Sequence, residues 1–439
     1  MNIIENLLKK KIRLYYFLIL ILFFLMLVPL LSYGVKHATH FGAKGKFKNI
    51  EAFLLNIADI IPNTIKLFDE SQDFKYSFIS ESKIEIYNND NSDDYMLIPR
   101  YDLKIGRSVI DLVYIKDKKI IHTWTHNVDK INKLSKLDLS QINLKRDHGL
   151  SRYMYRDPLL LADGSVIVHG HTPILKIDSC NRVIWVTDKL FHHSIELTDD
   201  NYVWTGTREL PGNYKFLHEG YWDDKIAYLD PLNGKVLFEK SVTDILYENN
   251  MGHYITSSYI GNDPIHLNDV EPVNFSSKYW KKGDVFLSLR HLSMLVLYRP
   301  STNKVIWYKQ GDWRYQHDID VLNNTEISFF DNQNKLNADP GELSYVKIYN
   351  FNNDKIDNRF LSLSKKQKIM SEASGNHKII DDKTVIIEET TGGRIISGQL
   401  DGTVNWIYTS EGYINLSKHI DNELARKVIK SIKNQKCDK

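Results

Sequence analysis

Residues 398–406 read GQLDGTVNW: an apolar strand ends at a polar position, a tight Asp-Gly turn follows, and a second strand closes on tryptophan. Asp-Gly between two strands signals a hairpin, because these residues reach the left-handed backbone conformations that a two-residue turn needs. A lone hairpin is marginal in water, so what matters is whether the unit recurs. It reads YIKDKKIIHTW at 114–124, IDSCNRVIW at 177–185, LDPLNGKVLF at 229–238, YRPSTNKVIW at 298–307 and, in its weakest form, IYNFNNDKIDNRF at 348–360. Six copies at spacings of roughly 45 to 70 residues are the mark of a repeat architecture. A hairpin unit of this size cannot bury both faces alone, and stacking the units around an axis covers every sheet. The expected fold is therefore all-β, a six-bladed β-propeller. A pair of β-sandwiches is the alternative, although sandwiches do not require a recurring hairpin that ends in tryptophan.

The segment that leads into each repeat runs toward the axis of a propeller, and histidine recurs there. The stretches are 191–197 (FHHSIEL), 265–270 (IHLNDV), 316–321 (QHDIDV) and 376–379 (NHKI). Matching positions in successive blades point at one axial pocket, so His193, His266 and His317 are expected to converge. A single histidine is more often a satisfied structural residue, and it is the repetition that points to a shared site. Three imidazoles suit either a metal site or a nucleophile with acid/base and anion-binding partners. Arg290 ends the strand that follows the His266 segment, and Asn268 lies two residues beyond His266, on the same side of a regular strand. A guanidinium beside neutral imidazoles repels a divalent cation and binds an oxyanion through its fork of donors. The pattern therefore favours an anion, with a solvated or salt-bridged blade-edge Arg290 as the plainer reading.

At these residues the chain resembles the bacterial arylsulfotransferases. The matching stretches are 192–197 (HHSIEL), 266–270 (HLNDV), 283–290 (GDVFLSLR) and 316–332 (QHDIDVLNNTEISFFDN), within a likeness that runs over about 94–414. The resemblance implies transfer of a sulfuryl group from an aryl sulfate donor to a phenolic acceptor, with no nucleotide and no cofactor. It implies that His317 is the nucleophile that becomes transiently sulfated, in a ping-pong cycle. His266, Asn268 and Arg290 would hold the sulfuryl oxygens, and His193 would serve the phenolic oxygen as acid and base, with His192 as the lesser candidate and a substrate contact. No metal is implied. Ser194 departs from the family pattern, which often has an acidic residue after the double histidine, and the segment before residue 94 does not resemble the β-sandwich of better-known members.

Residues 12–35 are apolar apart from Arg13 and are about long enough to cross a bilayer, with Lys9, Lys10 and Lys11 on their N-terminal flank. The positive-inside rule then gives a single-pass inner-membrane protein with its N-terminus in the cytoplasm and its main domain periplasmic or extracellular. A cleaved signal peptide is the alternative; the length of the run and the poor cleavage site at Ser32-Tyr33-Gly34 count against it. The expected organisation is a cytoplasmic N-terminus at 1–11, an anchor at 12–35, a spacer or cap at 36–93 with an amphipathic helix over 49–68, the propeller at 94–418, and a solvated helical tail at 419–439. A net charge of +2 with 42% hydrophobic residues leaves no strong field for nucleic acid and no sign of disorder. Two cysteines, Cys180 and Cys437, argue against a cysteine-based zinc site, and nothing in the sequence pairs them. A competing function is a membrane-anchored propeller that binds an anionic glycan or scaffolds an envelope complex without catalysis. Oligomeric state is not legible.

Overall fold

The computed structural model describes residues 16, 19–23, 81–89, 91–127, 130–131, 133, 135–137, 154–170, 172–214, 216–257, 261–333 and 343–437. The chain divides into two units, Met1–Lys75 and Tyr76–Lys439. Of the expected anchor at 12–35, residues 16 and 19–23 are helical and the rest lies outside the described residues, as does the helix expected over 49–68. Among the described residues no helix is long and apolar enough to cross a membrane.

The second unit is a six-bladed propeller. Five blades are four-stranded antiparallel sheets and one has five strands. Each expected hairpin is the third and fourth strand of one blade counted from the axis, and five of the six carry a β-bulge in that ladder. The weak copy is the exception, with an outer strand of three residues, Lys355–Asp357, and a regular register. Its Phe360 is fully buried and leads into a short helix, Leu361–Gln367.

The chain ends lock the ring. The first blade takes its inner strand, Lys418–Ile420, from the C-terminus and its other three, Tyr95–Asp102, Arg107–Tyr114 and Lys119–Trp124, from the start of the domain. The last blade gains Lys83–Ile86 as an extra outer strand on Val404–Thr409, so part of the segment expected to be a spacer belongs to the propeller. Hydrophobic residues fall into six clusters, each between two neighbouring blades, which is the core distribution of a closed ring rather than of stacked sandwiches.

The C-terminal helix, Asn422–Asn434, is not free in solvent as its lysines suggested. Its Ala425 and Val428 are fully buried in the cluster between the first two blades. Asp421 caps it by accepting from the Glu423 and Leu424 amides, and Cys437 beyond it forms a disulfide with Cys180 on the second blade's hairpin. The tail thus fastens the strand that closes the ring.

The inner strands of neighbouring blades touch one another around the axis, and side chains staple them. The Asp269 carboxylate accepts the Ile319 amide at 2.6 Å, Asp318 accepts His377 at 2.6 Å, and Asp157 accepts Ile195. Ser194 fills the same station, its hydroxyl accepting the Val270 amide at 2.9 Å. A hydroxyl therefore replaces the acidic residue here without loss of the inter-blade bond.

Candidate functional site

The inner strands do not run straight to the axis. His193, His266 and Asp318 have φ of 60°, 52° and 54°, left-handed values unusual for residues with a side chain. The ladders shift register at the same places, opposite Thr205/Gly206, at Leu267/Asp269 and at His317/Ile319. Such bulges re-aim side chains, and strained backbone of this kind collects at functional sites. The three expected histidines do converge: the His193 ring centroid lies 5.2 Å from that of His266 and 5.9 Å from that of His317.

The proton arrangement can be read from the partners. His192 Nε2 lies 3.1 Å from the Thr207 carbonyl oxygen and 3.3 Å from Asp224 Oδ1, two acceptors, so that nitrogen bears the hydrogen. Its Nδ1 then holds the lone pair and accepts from His193 Nδ1 at 2.9 Å. His193 is left with a lone pair on Nε2, the state a general base requires. Both ring nitrogens of His192 are engaged within the protein, so His192 orients His193 and has no nitrogen left for substrate. Asp224 is fully buried and ion-paired to Arg208 at 2.6 Å. Burial would raise its pKa, but Arg208 and His192 hold it far below the usual carboxylate range. Gly206 is required beside this relay, since a Cβ there would stand 2.9 Å from His192 Cε1.

His317 is fixed in the same manner. Asn332 gives both donors of its amide to the carbonyls of Ser371 and Ser374, so its Oδ1, 2.7 Å from His317 Nδ1, accepts. The Nε2 of His317 therefore carries the lone pair. His266 Nδ1 donates to Asp263 Oδ2 at 2.5 Å. Arg290 donates to His291 Nε2 at 3.0 Å and lies over the Tyr315 ring, 4.3 Å from its centroid. Among the described residues no carboxylate pairs with Arg290, and its buried Nε has no partner. Arg290 is thus neither salt-bridged among the described residues nor freely solvated, being half-buried with its Nε shielded. Asn268 donates to the Gln316 carbonyl at 2.7 Å and leaves its buried Oδ1 unpartnered. It lines a small axial cavity with His317, Asp269 and Asp157, whereas His266 does not. The bulge between them separates two residues that a regular strand would align.

Burial, reinforced by the neighbouring imidazoles, holds the His193 pKa well below its ordinary value. Burial and then Arg290 lower His317 to about 3, and burial outweighs the Asp263 hydrogen bond to leave His266 at about 4. Burial, then Arg156, lowers His169 to about 3. All are neutral at pH 7. Below the unfolded value of 6.5 the unfolded chain binds protons that the folded chain refuses, so stability is complete above pH 6.5 and falls as pH drops toward about 4 for His266 and about 3 for His169 and His317. At pH 5 the expected loss is on the order of 2 kcal/mol for each of His169, His266 and His317. Denaturant unfolding at pH 7.5 and pH 5.0 checks this, and equal stabilities would contradict it.

Asp263, His266 and His291 also bring ligand atoms within 4.8 Å of one another. The His291 ring is satisfied, because its Nδ1 donates to the Asp263 carbonyl and its Nε2 accepts from Arg290, while Asp263 Oδ1 is buried without a hydrogen bond and faces Arg208 at 3.8 Å. With Arg290 and Arg208 beside it, the cluster is poorly suited to a divalent cation.

Sequence reasoning missed Asp224, Arg208, Asp263 and His291 as site residues. They sit outside the repeated entry segments, in middle strands and connections, so no periodicity marks them. Asn332 carried a signal, since it ends the FDN that follows the His317 segment.

A family model described as arylsulfotransferase (ASST) matches residues 157–411, more than half of the chain. No curated protein matches it. Solved structures that align with it include a protein of unknown function from Bacteroides caccae, at 10% identity and a TM-score of 0.46, covering 75% of this chain and 100% of that one. Another is the Kuenenia stuttgartiensis hydrazine synthase, at 10% identity and a TM-score of 0.39, covering 67% of this chain and 74% of that one.

Proposed function

The chain belongs to the arylsulfotransferase family, and from that premise we propose that it moves a sulfuryl group from an aryl sulfate to a phenol in two steps through His317. The observation that carries this reading is the tautomer of His317. Asn332 takes the Nδ1 hydrogen, which leaves the Nε2 lone pair for nucleophilic attack beside an arginine without a carboxylate partner.

In the first step the Nε2 lone pair attacks sulfur, the bond between sulfur and the aryl oxygen breaks, and its electron pair leaves on the phenolate. The sulfated imidazole is cationic on the ring and keeps its Nδ1 hydrogen bond to Asn332. In the second step an acceptor phenol gives its proton to His193 Nε2 while its oxygen attacks sulfur, and His317 leaves as neutral imidazole. The proton held by His193 is the one it delivers to the next departing phenolate. Sulfuryl transfer asks mainly for in-line placement and charge stabilisation, which Arg290 supplies on the sulfuryl oxygens. Asn268 offers its remaining amide hydrogen. His266 can donate to a sulfuryl oxygen only as imidazolium, and Asp263 is the counter-charge for that state.

The membrane anchor at 12–35 and an extracytoplasmic location remain part of this proposal. The Cys180–Cys437 disulfide supports the location, because such bonds persist in oxidising compartments. The test is intact-mass spectrometry of the full-length chain after brief incubation with 4-nitrophenyl sulfate. An acid-labile gain of one sulfuryl group on His317, discharged by added phenol, is expected. Absence of both adduct and phenol release over a range of donors would return the site to a non-catalytic ligand pocket.

A further inference from the structure

The chemistry above uses the arginine beside His266 and His317 and leaves a second guanidinium unexplained. Arg156 begins the inner strand of the second blade, Arg156–Leu160, directly opposite His169 in the antiparallel ladder. Residues so paired project to the same face of a sheet. His169 Nε2 lies 3.1 Å from the carbonyl oxygen of His193, which ties this face to the acid/base histidine.

Among the described residues Arg156 makes no salt bridge and no side-chain hydrogen bond, and its Nε is shielded from solvent without a partner. The titratable group whose charge acts on it is the Tyr413 phenol, with no carboxylate in that role. Its own charge helps to hold His169 and His193 in their neutral forms. Arg156 is half-buried, and a cation partly withdrawn from water without a partner is costly and persists where a partner arrives from outside. Arg290 lies beside His291 and Tyr315 and acts on His266 and His317, where the sulfuryl group is handled, whereas the ladder to His169 and the contact of His169 with His193 set Arg156 on the His193 side, where the phenol is handled.

We propose that Arg156 is a second anion-binding residue of the pocket and that it selects phenols carrying a fixed oxyanion, such as a carboxylate, in addition to the reacting oxygen. The assignment of sides rests on the sulfotransferase reading. A phenolic oxygen does not explain the site by itself, because a phenol is un-ionised at neutral pH and His193 already serves it. A guanidinium fork matches a carboxylate with two donors, and its charge is permanent.

Two measurements on the full-length chain test this. Calorimetry, which involves no chemistry, compares 4-hydroxyphenylacetate with phenol. The wild type is expected to bind the acid about tenfold or more tightly, and Arg156→Gln is expected to lose that preference. With 4-nitrophenyl sulfate as donor, the same variant is expected to lose about tenfold more in kcat/KM for 4-hydroxyphenylacetate than for phenol, the difference lying in KM. Arg156→Lys, which keeps the charge without the fork, should fall between. A wild type with no preference for the acid overturns the proposal even if the glutamine variant does not fold. Equal losses for both acceptors overturn it too, by placing Arg156 at the reacting oxygens. If the wild type never sulfates His317, the sulfotransferase reading fails, while the calorimetric comparison still decides whether Arg156 binds an oxyanion.

Discussion

His317→Ala is expected to leave a folded propeller that has lost transfer by about four orders of magnitude or more, since removal of a nucleophile leaves only binding and positioning. Neighbouring groups cannot replace it. The lone pair of His193 is 5.9 Å away by ring centroid and belongs to a ring already paired with His192. The fold should survive because the one side chain that His317 bonds is Asn332, beside a bond to the Tyr315 backbone, while Asn332 keeps its two bonds to Ser371 and Ser374. Loss of the His317 bonds and of a buried ring should cost about 2–4 kcal/mol of stability, short of unfolding a domain of this size. His317→Asn guards against a cavity effect by keeping a polar side chain of similar reach. Release of 4-nitrophenol and intact mass are the readouts, with circular dichroism to verify folding. Transfer above about one per cent of wild type in either variant, or a sulfuryl adduct on the alanine variant, would remove the sulfohistidine step.

The parts of this molecule that were legible in sequence are those that repeat. Six hairpins could be found because each needs the same turn chemistry and a large apolar residue at the same place, and Trp124, Trp406 and their counterparts pack between blades for that reason. His193 and His317 were legible for the same cause, since each stands just before a residue that staples neighbouring blades, whereas at the equivalent place before Asp269 the chain has Asn268, and His266 reaches the other rings through the bulge. What sequence could not supply is whatever happens once. The closing strand Lys418–Ile420 is three residues long, too short for any periodicity, and it is paired with residues more than three hundred positions earlier. The C-terminal helix looked solvated because its two buried residues, Ala425 and Val428, are outnumbered by lysines. Its docking and the Cys180–Cys437 bond depend on that closure.

The same distinction explains the site. His193 and His317 come from a repeated position, but the groups that decide which nitrogen carries the proton come from single ones. Asp224 lies in the third strand of its blade, Asp263 in the connection before the next, and Asn332 just past the strand Glu326–Asp331. Each fixes one tautomer, and without it the histidine pattern is equally compatible with a metal site. The roles of His193 and His317 thus follow from partners that the repeat does not reveal.

The role of His193 is open to a sharper test than a rate loss. His193→Asn suits the left-handed backbone at this position, φ 60°, because asparagine tolerates that region better than other residues with a polar side chain. General acid/base assistance is worth about 10²–10⁴ in rate, and it is needed in proportion to the basicity of the departing oxygen. The variant should therefore lose little in the donor step with 4-nitrophenyl sulfate, whose phenolate leaves without a proton. In the turnovers after the first, where wild-type His193 holds the proton of the previous acceptor, it should lose most of that factor with phenyl sulfate. In the acceptor step, phenol must surrender its proton before attack, and no base remains to take it. The variant is then expected to release one equivalent of 4-nitrophenol in a burst and to hold the sulfuryl group on His317, where wild type discharges it to phenol. Quenched-flow measurement of the burst with parallel intact mass reads both steps. An equal loss for the two donors, or a variant that discharges phenol as fast as wild type, would assign His193 to structure and require another base.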